Sequence, residues 1–461
     1  MSLIAELRAA CPNATVWDAA ELASRDPGFD ARNFGATALA RPADTEGVAA
    51  LVKFCAARGL SLVAQGGRTG LAGGAATVEG QVICDLGGLN RIEEIDPFAR
   101  VAIVQAGTPL SVLQEAAAAH GLEPGIDLAA RGSATIGGMV STNAGGIMAF
   151  RNGTMRHRVL GLEAVLPDGS VFSDLTRVLK TSAGYDLKHL FIGAEGTLGI
   201  VTRVALRLDP VAGASATALV GVPDAASAQR IVRHFLGHTG TRLTAAEILW
   251  RNFADLMQRA LGYAPGQLPL EAPCQLLLGL GADSIEAARA ALEDGLAAIW
   301  EEAAIVDGLV ATSEAQAAAL WRLREETEHI ERAHPMAPSF DVSVPGGGLD
   351  AYVARIEAGL KRIDAAYAPY VYGHLADGNL HISINCDGPL PHERHEAIED
   401  VLYAGLREAG GSFSAEHGVG IEKRNAYERQ SDPVKRELAR MIKAMIDPTN
   451  VMNPGKIISR G

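Results

Sequence analysis

A chain of 461 residues with 48% hydrophobic and 21% charged content is too long for one core and reads as two or three globular domains. A net charge of −13 and an isoelectric point near 5.4 exclude a broad nucleic-acid or anionic-membrane surface, though not local basic pockets. Cys11, Cys55, Cys84, Cys274 and Cys386 show an odd count and no CxxC spacing, so isolated buried thiols in a reducing compartment are expected.

The opening "MSLIAELRAACPNA" carries Glu6 and no basic region ahead of an apolar run, so it does not read as a signal peptide, and no window reaches the length of a membrane span. A cytoplasmic protein is expected, with peripheral attachment to the inner membrane left open. Thr45–Arg58 and 111–120 read as helices, and 60–65, 81–86, 101–106 and 199–208 as strands set among glycine-rich loops, which together suggest an α+β domain over 1–212. Long Ala/Glu/Arg-rich helices then follow at 224–236, 284–302 and 313–332, with strands at 274–280 and 370–375 between them. A substrate or cap domain over 213–429 fits that texture. The segment 430–461 has turn chemistry at Asp447-Pro448 and Asn453-Pro454-Gly455.

Three glycine- and hydroxyl-rich loops lie in the first half: "AQGGRTGLAGG" from Ala64, "PGIDLAARGSATIGGMVSTNAGG" from Pro124, and "GYDLKHLFIGAEGTLGIV" from Gly184. The first matches neither a Walker A loop nor GxGxxG, and by itself suits a structural turn as well as a phosphate cradle. Three such loops together suggest a chain passing close to something large and polar-edged. These motifs, in this order, resemble the FAD-binding domain of the vanillyl-alcohol-oxidase superfamily, and with the downstream motifs the chain is similar to FAD-dependent D-2-hydroxyacid dehydrogenases of the D-lactate and D-2-hydroxyglutarate type. The resemblance covers about 40–461. It implies a two-part FAD-binding domain, to which 430–461 returns, plus a cap domain with an antiparallel sheet.

On that resemblance Gly66, Gly67, Arg68, Thr69 and Gly70 would bind the FAD pyrophosphate. Ser133, Gly137, Gly138, Asn143 and Gly145 would line the flavin and ribityl region, and Glu195, Gly196, Gly199 and Ile200 the adenosine half, with Asn453 returning to the flavin domain. No His or Cys occurs in 64–74, so the FAD is expected to be non-covalent.

The stretch "GHLADGNLH" brackets an Asp-Gly pair with two histidines. Asp-Gly between alternating apolar residues signals a two-residue hairpin turn, which makes His374 and His381 direct cross-strand partners. Leu375, Leu380, Ile382 and Ile384 then share one face, and Tyr372, His374, His381, Ser383 and Asn385 the other. Two adjacent imidazoles are half of a transition-metal site, and "SAEHGVG" offers Glu416 as a third ligand beside His417. The resemblance assigns His374, His381 and Glu416 to a divalent metal, Zn²⁺ preferred with Mn²⁺ as the alternative, and His417 to the catalytic base. Arg324 borders the apolar stripe of Leu320, Leu323, Thr327 and Ile330, and matches the family's carboxylate-binding arginine. Ser339 and Ser383 stand where hydroxyglutarate-type enzymes usually have a lysine and an asparagine, which weakens the case for a dicarboxylate and leaves the hydroxyacid open.

The expected reaction is oxidation of a D-2-hydroxyacid to the 2-oxoacid, with electrons passed to an external quinone, cytochrome or electron-transfer flavoprotein, or to oxygen. A homodimer is compatible with the sequence, and no nucleic-acid partner is expected. The alternative is a flavin-free hydrolase or oxygenase built on the two histidines and one glutamate.

Overall fold

The computed structural model describes residues 2–211, 213–238 and 240–458. Contacts divide the chain into one unit of Met1–Val211 with Glu416–Gly461 and a second of Ala212–Ala415. The return expected at 430 therefore starts earlier, at Glu416. Val419 and Gly420 donate their N–H groups to the buried Glu195 carboxylate at 2.7 and 2.8 Å, and Ala72 O accepts from Ile421 and Glu422. Backbone bonds of this kind leave no trace in the turn signals that mark 430–461.

The first unit carries two sheets. One has four strands in the order Ala14–Asp18, Ala38–Pro42, Gln81–Asp85, Ser61–Gln65, of which the last three run parallel. The other is antiparallel, ordered Ile92–Asp96, Val101–Gln105, Ile200–Arg207, Val159–Val165, Val171–Asp174. Helix Thr45–Arg58 starts where the Asp44 side chain accepts from Gly47 N and ends at Gly59, whose φ of +64° suits glycine. Its Val48, Leu51, Val52 and Cys55 recur at helical spacing and are buried in one core with Leu62, Val82, Val104, Val165 and Val204 from both sheets. Each such fully buried side chain contributes about 1.5–3 kcal/mol. All five cysteines are free and buried, and among the described residues no helix is long and apolar enough to cross a membrane.

The second unit is built on a seven-stranded sheet, antiparallel throughout: Asp307–Val310, Ala214–Val222, Cys274–Ala282, Arg242–Trp250, Pro369–His374, Asn379–Ile384, Ser339–Ser343. Phe253, Met257, Leu320, Leu323 and Ile330, from helices Arg251–Ala260, Glu314–Glu325 and Glu328–Ala333, pack on Leu219, Leu249, Leu277 and Tyr372 of the sheet. The single helix expected over 313–332 is two. Glu326, with ψ +52°, leaves the helical region, and both pieces then bury apolar residues in the same core.

The hairpin differs from the two-residue turn expected of Asp377-Gly378. His374 pairs with Asn379 and Tyr372 with His381, so the connection is a four-residue loop, 375–378. Leu375 N donates to Ala246 O of the neighbouring strand, and Gly378 O accepts from Val344 N, just past the end of a third. Pairing with strands on both sides outweighs the local turn signal. The slip is by two residues and the side-chain period is also two, so the histidines stay on one face, as diagonal rather than direct partners.

Gly378 sits at φ +75°, and a Cβ there would lie 2.0 Å from Val344 O. Gly378→Ala is therefore expected to cost about 2 kcal/mol or more of stability, read from urea unfolding. A loss under roughly 0.5 kcal/mol, within the range of ordinary surface changes, would mean that the loop relaxes freely.

Candidate active site

Directly opposed residues of antiparallel strands share a face. The register therefore lays polar rows across the sheet: Glu247, His374, Asn379 and Ser343; then Tyr372, His381 and Asp341; then Tyr370, Ser383 and Ser339. Glu247, His374, Asn379, Asp341 and Ser383 are buried, so each needs a polar partner. The His374 and His381 rings meet edge to face with centroids 5.5 Å apart, and His381 lies 5.2 Å from the Tyr372 ring. His374 Nδ1 is 2.8 Å from Glu247 Oε1, and Arg324 Nε donates to Glu247 Oε2 at 2.7 Å. The Arg324 guanidinium also sits 4.9 Å from the Tyr372 ring centroid. Burial pushes the Glu247 carboxyl up, but His374 and Arg324 beside it outweigh that and hold it below the usual carboxylate range.

Asp341, directly opposite His381, accepts from Ala415 N at 2.8 Å. One peptide beyond Ala415 is Glu416, the residue at which the chain passes from one unit to the other. One nitrogen from each of His374 and His381 and one Glu416 oxygen all lie within 4.8 Å of one another. Glu416 Oε1 also accepts from Gly146 N at 2.8 Å. His417 follows, and Gly418 after it turns the chain at φ +76°, where a Cβ would meet Glu195 Oε1 at 2.7 Å. Ser383 lies one row from His381 on the same face, opposite Ser339 and Tyr370.

In the first unit Gly66 and Gly67 pack against the loop at 133–135 without room for side chains. A Cβ on Gly66 would lie 2.2 Å from Thr135 Oγ1, and one on Gly67 1.9 Å from Ser133 O. Arg68 adopts φ +54° with its guanidinium 5.0 Å from the Phe34 ring, and Thr69 is half-buried. Gly70, Gly132 and Ser133 are exposed, and nothing lies within 4 Å of a Cβ added at either glycine. Gly137 and Gly138 belong to helix Ile136–Thr142, and a Cβ on Gly137 would meet that of Ala106 at 2.5 Å. Asn143 ends the helix at φ +55°, its Oδ1 accepting from Thr154 Oγ1 and Arg156 N, and Gly145 is buried beside it.

Glu195 at φ +49° and Gly196 at φ +71° form a tight turn. The Glu195 carboxylate is taken up by the Val419 and Gly420 N–H groups, against burial that pushes its pKa up. Gly199 packs on Phe191 and Ile200 is a core residue, so what these two offer a cofactor is backbone. Asn453 Nδ2 donates to Gly74 O and Glu195 O at 3.0 and 2.7 Å. Gln65 Oε1, Arg68 Nε and Asn453 Oδ1 are buried without a hydrogen-bond partner. Unpaired buried polar atoms beside an open glycine backbone are what a polar, phosphate-bearing cofactor would satisfy.

Residues 36–174 match a family model described as an FAD binding domain, and residues 212–457 match one described as the C-terminal domain of FAD linked oxidases. The chain belongs to the FAD-linked oxidase family. Its relatives include the mitochondrial D-2-hydroxyglutarate dehydrogenase of Rattus norvegicus, 34% identical over 423 residues covering 91% of this chain and 78% of that protein. The D-2-hydroxyglutarate dehydrogenases of Xanthomonas citri pv. viticola and Stutzerimonas stutzeri are 36% and 33% identical, over 91% and 92% of this chain and 89% and 91% of theirs.

This FAD-linked oxidase is thus an FAD-dependent oxidoreductase of the branch that its motifs resemble. Two solved structures show the fold: p-cresol methylhydroxylase with substrate bound (TM-score 0.75, 17% identity) and 4-ethylphenol oxidase from Gulosibacter chungangensis (TM-score 0.71, 20% identity). Each alignment covers 98% of this chain and 96% of the other. The FAD-binding match sets aside the flavin-free hydrolase or oxygenase.

Sequence reasoning missed Glu247 and Asp341. Both left a signal: each is a lone acid inside an apolar strand, "RLTAAEILW" and "SFDVS", and a charge buried there has to be paired.

Glu195→Gln keeps one acceptor oxygen for two backbone donors. The expected result is a stability loss of about 1–3 kcal/mol, seen by chemical denaturation, together with weaker retention of flavin absorbance through gel filtration.

Proposed function

We propose that this FAD-linked oxidase converts a D-2-hydroxyacid, D-2-hydroxyglutarate first among the candidates, to the 2-oxoacid, with His374, His381 and Glu416 holding a divalent cation. The observation that supports this most is the trio of ligand atoms within 4.8 Å, in a chain about a third identical to D-2-hydroxyglutarate dehydrogenases. Two imidazole nitrogens and a carboxylate oxygen suit Zn²⁺, with Mn²⁺ the second choice.

A cation held there supplies Lewis-acid chemistry, lowering the pKa of a hydroxyl that it contacts, and FAD, bound without a covalent link, supplies two-electron acceptance. The side chains bind and orient the substrate and carry its proton. Arg324 binds the substrate carboxylate: its Nε is committed to Glu247, and neither terminal nitrogen has a hydrogen-bond partner among the described residues. His417 takes the proton of the hydroxyl oxygen, a contribution on the order of 10² to 10⁴ in rate. Ser383, with Ser339 across from it, offers hydroxyl hydrogen bonds to the rest of the molecule. Neither brings a positive charge, so D-lactate-like acids are the competing substrates. The electrons go on to an external quinone, cytochrome or electron-transfer flavoprotein, in the cytoplasm or at the inner face of the membrane.

Anaerobic mixing with a panel of D- and L-2-hydroxyacids of different length is expected to bleach the flavin absorbance with D-isomers only. Stripping metal with a chelator should abolish bleaching and added Zn²⁺ or Mn²⁺ restore it, and His417→Asn should slow it by about 10²-fold or more. Full-rate bleaching by metal-free protein, or none with any D-2-hydroxyacid, would overturn the assignment.

A further inference from the structure

We infer that Glu247 is a positioning residue shared by two sites, its one carboxylate fixing both the His374 ring and the Arg324 guanidinium. Metal ligation and carboxylate binding would then depend on the same buried group. This rests on the roles proposed above for His374 and Arg324.

Register puts Glu247 directly opposite His374, and its side chain is 1% exposed. A carboxylate so buried carries a large desolvation cost, offset only when both oxygens are well bonded. Oε1 faces His374 Nδ1 at 2.8 Å and Oε2 receives Arg324 Nε at 2.7 Å. An ionised carboxylate only accepts, so Nδ1 carries the proton and the lone pair of the ring is on Nε2, the form a metal-binding imidazole needs. The bond through Nε likewise restrains the plane of the guanidinium without using its two terminal nitrogens.

The same contacts close on themselves. Glu247 meets His374; the His374 ring meets that of His381 at 5.5 Å; His381 meets Tyr372 at 5.2 Å; Tyr372 meets Arg324 at 4.9 Å; and Arg324 returns to Glu247. In a closed ring no member turns without disturbing its two neighbours. Glu247 makes a direct polar bond to both a proposed ligand and the proposed carboxylate binder.

Glu247→Gln is the discriminating variant because it keeps the shape and halves the acceptors. If the amide oxygen takes His374, the amide NH₂ opposes Arg324 Nε–H and the guanidinium must turn. If the oxygen takes Arg324, the NH₂ opposes His374 Nδ1 and favours the wrong tautomer. The purified flavin-loaded variant is tested for Zn²⁺ affinity by chelator competition without substrate, and for KM of the bleaching D-2-hydroxyacid at saturating Zn²⁺. The expected result is a loss of about tenfold or more in Zn²⁺ affinity or an equal rise in KM, with flavin content and melting temperature showing the protein folded. Glu247→Asp, which keeps both acceptors on a shorter stem, should show a smaller loss in the same quantity, and it carries the test if the amide variant does not fold. Values within twofold of wild type in both measurements would overturn the inference. Failure of the underlying metal assignment looks different: wild-type protein itself would bind no Zn²⁺ in the same competition.

Discussion

A carboxylate inside an antiparallel sheet keeps its charge only if both oxygens accept hydrogen bonds, and the second unit is arranged around meeting that condition for Glu247. His374 comes from the adjacent strand and Arg324 from a helix that packs on the same sheet. Three elements distant in sequence are held in one geometry by a group that cannot tolerate losing either partner. The helix core of Phe253, Leu320, Leu323 and Tyr372 supports this by fixing where Arg324 starts.

The first unit repeats the device with backbone donors. Glu195 gathers the N–H groups of Val419 and Gly420, and Asn453 ties Gly74 O to Glu195 O. The loop that carries Glu416 and His417 is thereby anchored two residues beyond His417. Side chains that must be placed within a few tenths of an ångström sit on segments whose backbone is already committed.

Much of the fold was legible. Helix Thr45–Arg58 announces itself through Asp44, Gly59 and an apolar stripe, and the strands at 81–85 and 101–105 through continuous apolar runs. The histidines, Glu416 and Arg324 were legible as residue types in motif order. The hairpin register was not, because Asp377-Gly378 speaks for two-residue closure while the bonds that decide the loop go to Ala246 and Val344, more than thirty residues upstream. Helix 313–332 failed for the same reason: its apolar spacing is continuous, and only packing requires the break at Glu326.

The sequence by itself determined which chemistry is present: glycines where backbone must approach backbone, two histidines on one face of a hairpin, an acid and a base side by side. Those follow from residue type and a side-chain period of two, which survive a register slip of two. Tertiary structure alone decided who touches whom. His374 pairs with Asn379 and Glu247 rather than with His381, because hydrogen bonds to strands on either side of a hairpin outnumber those of its own turn.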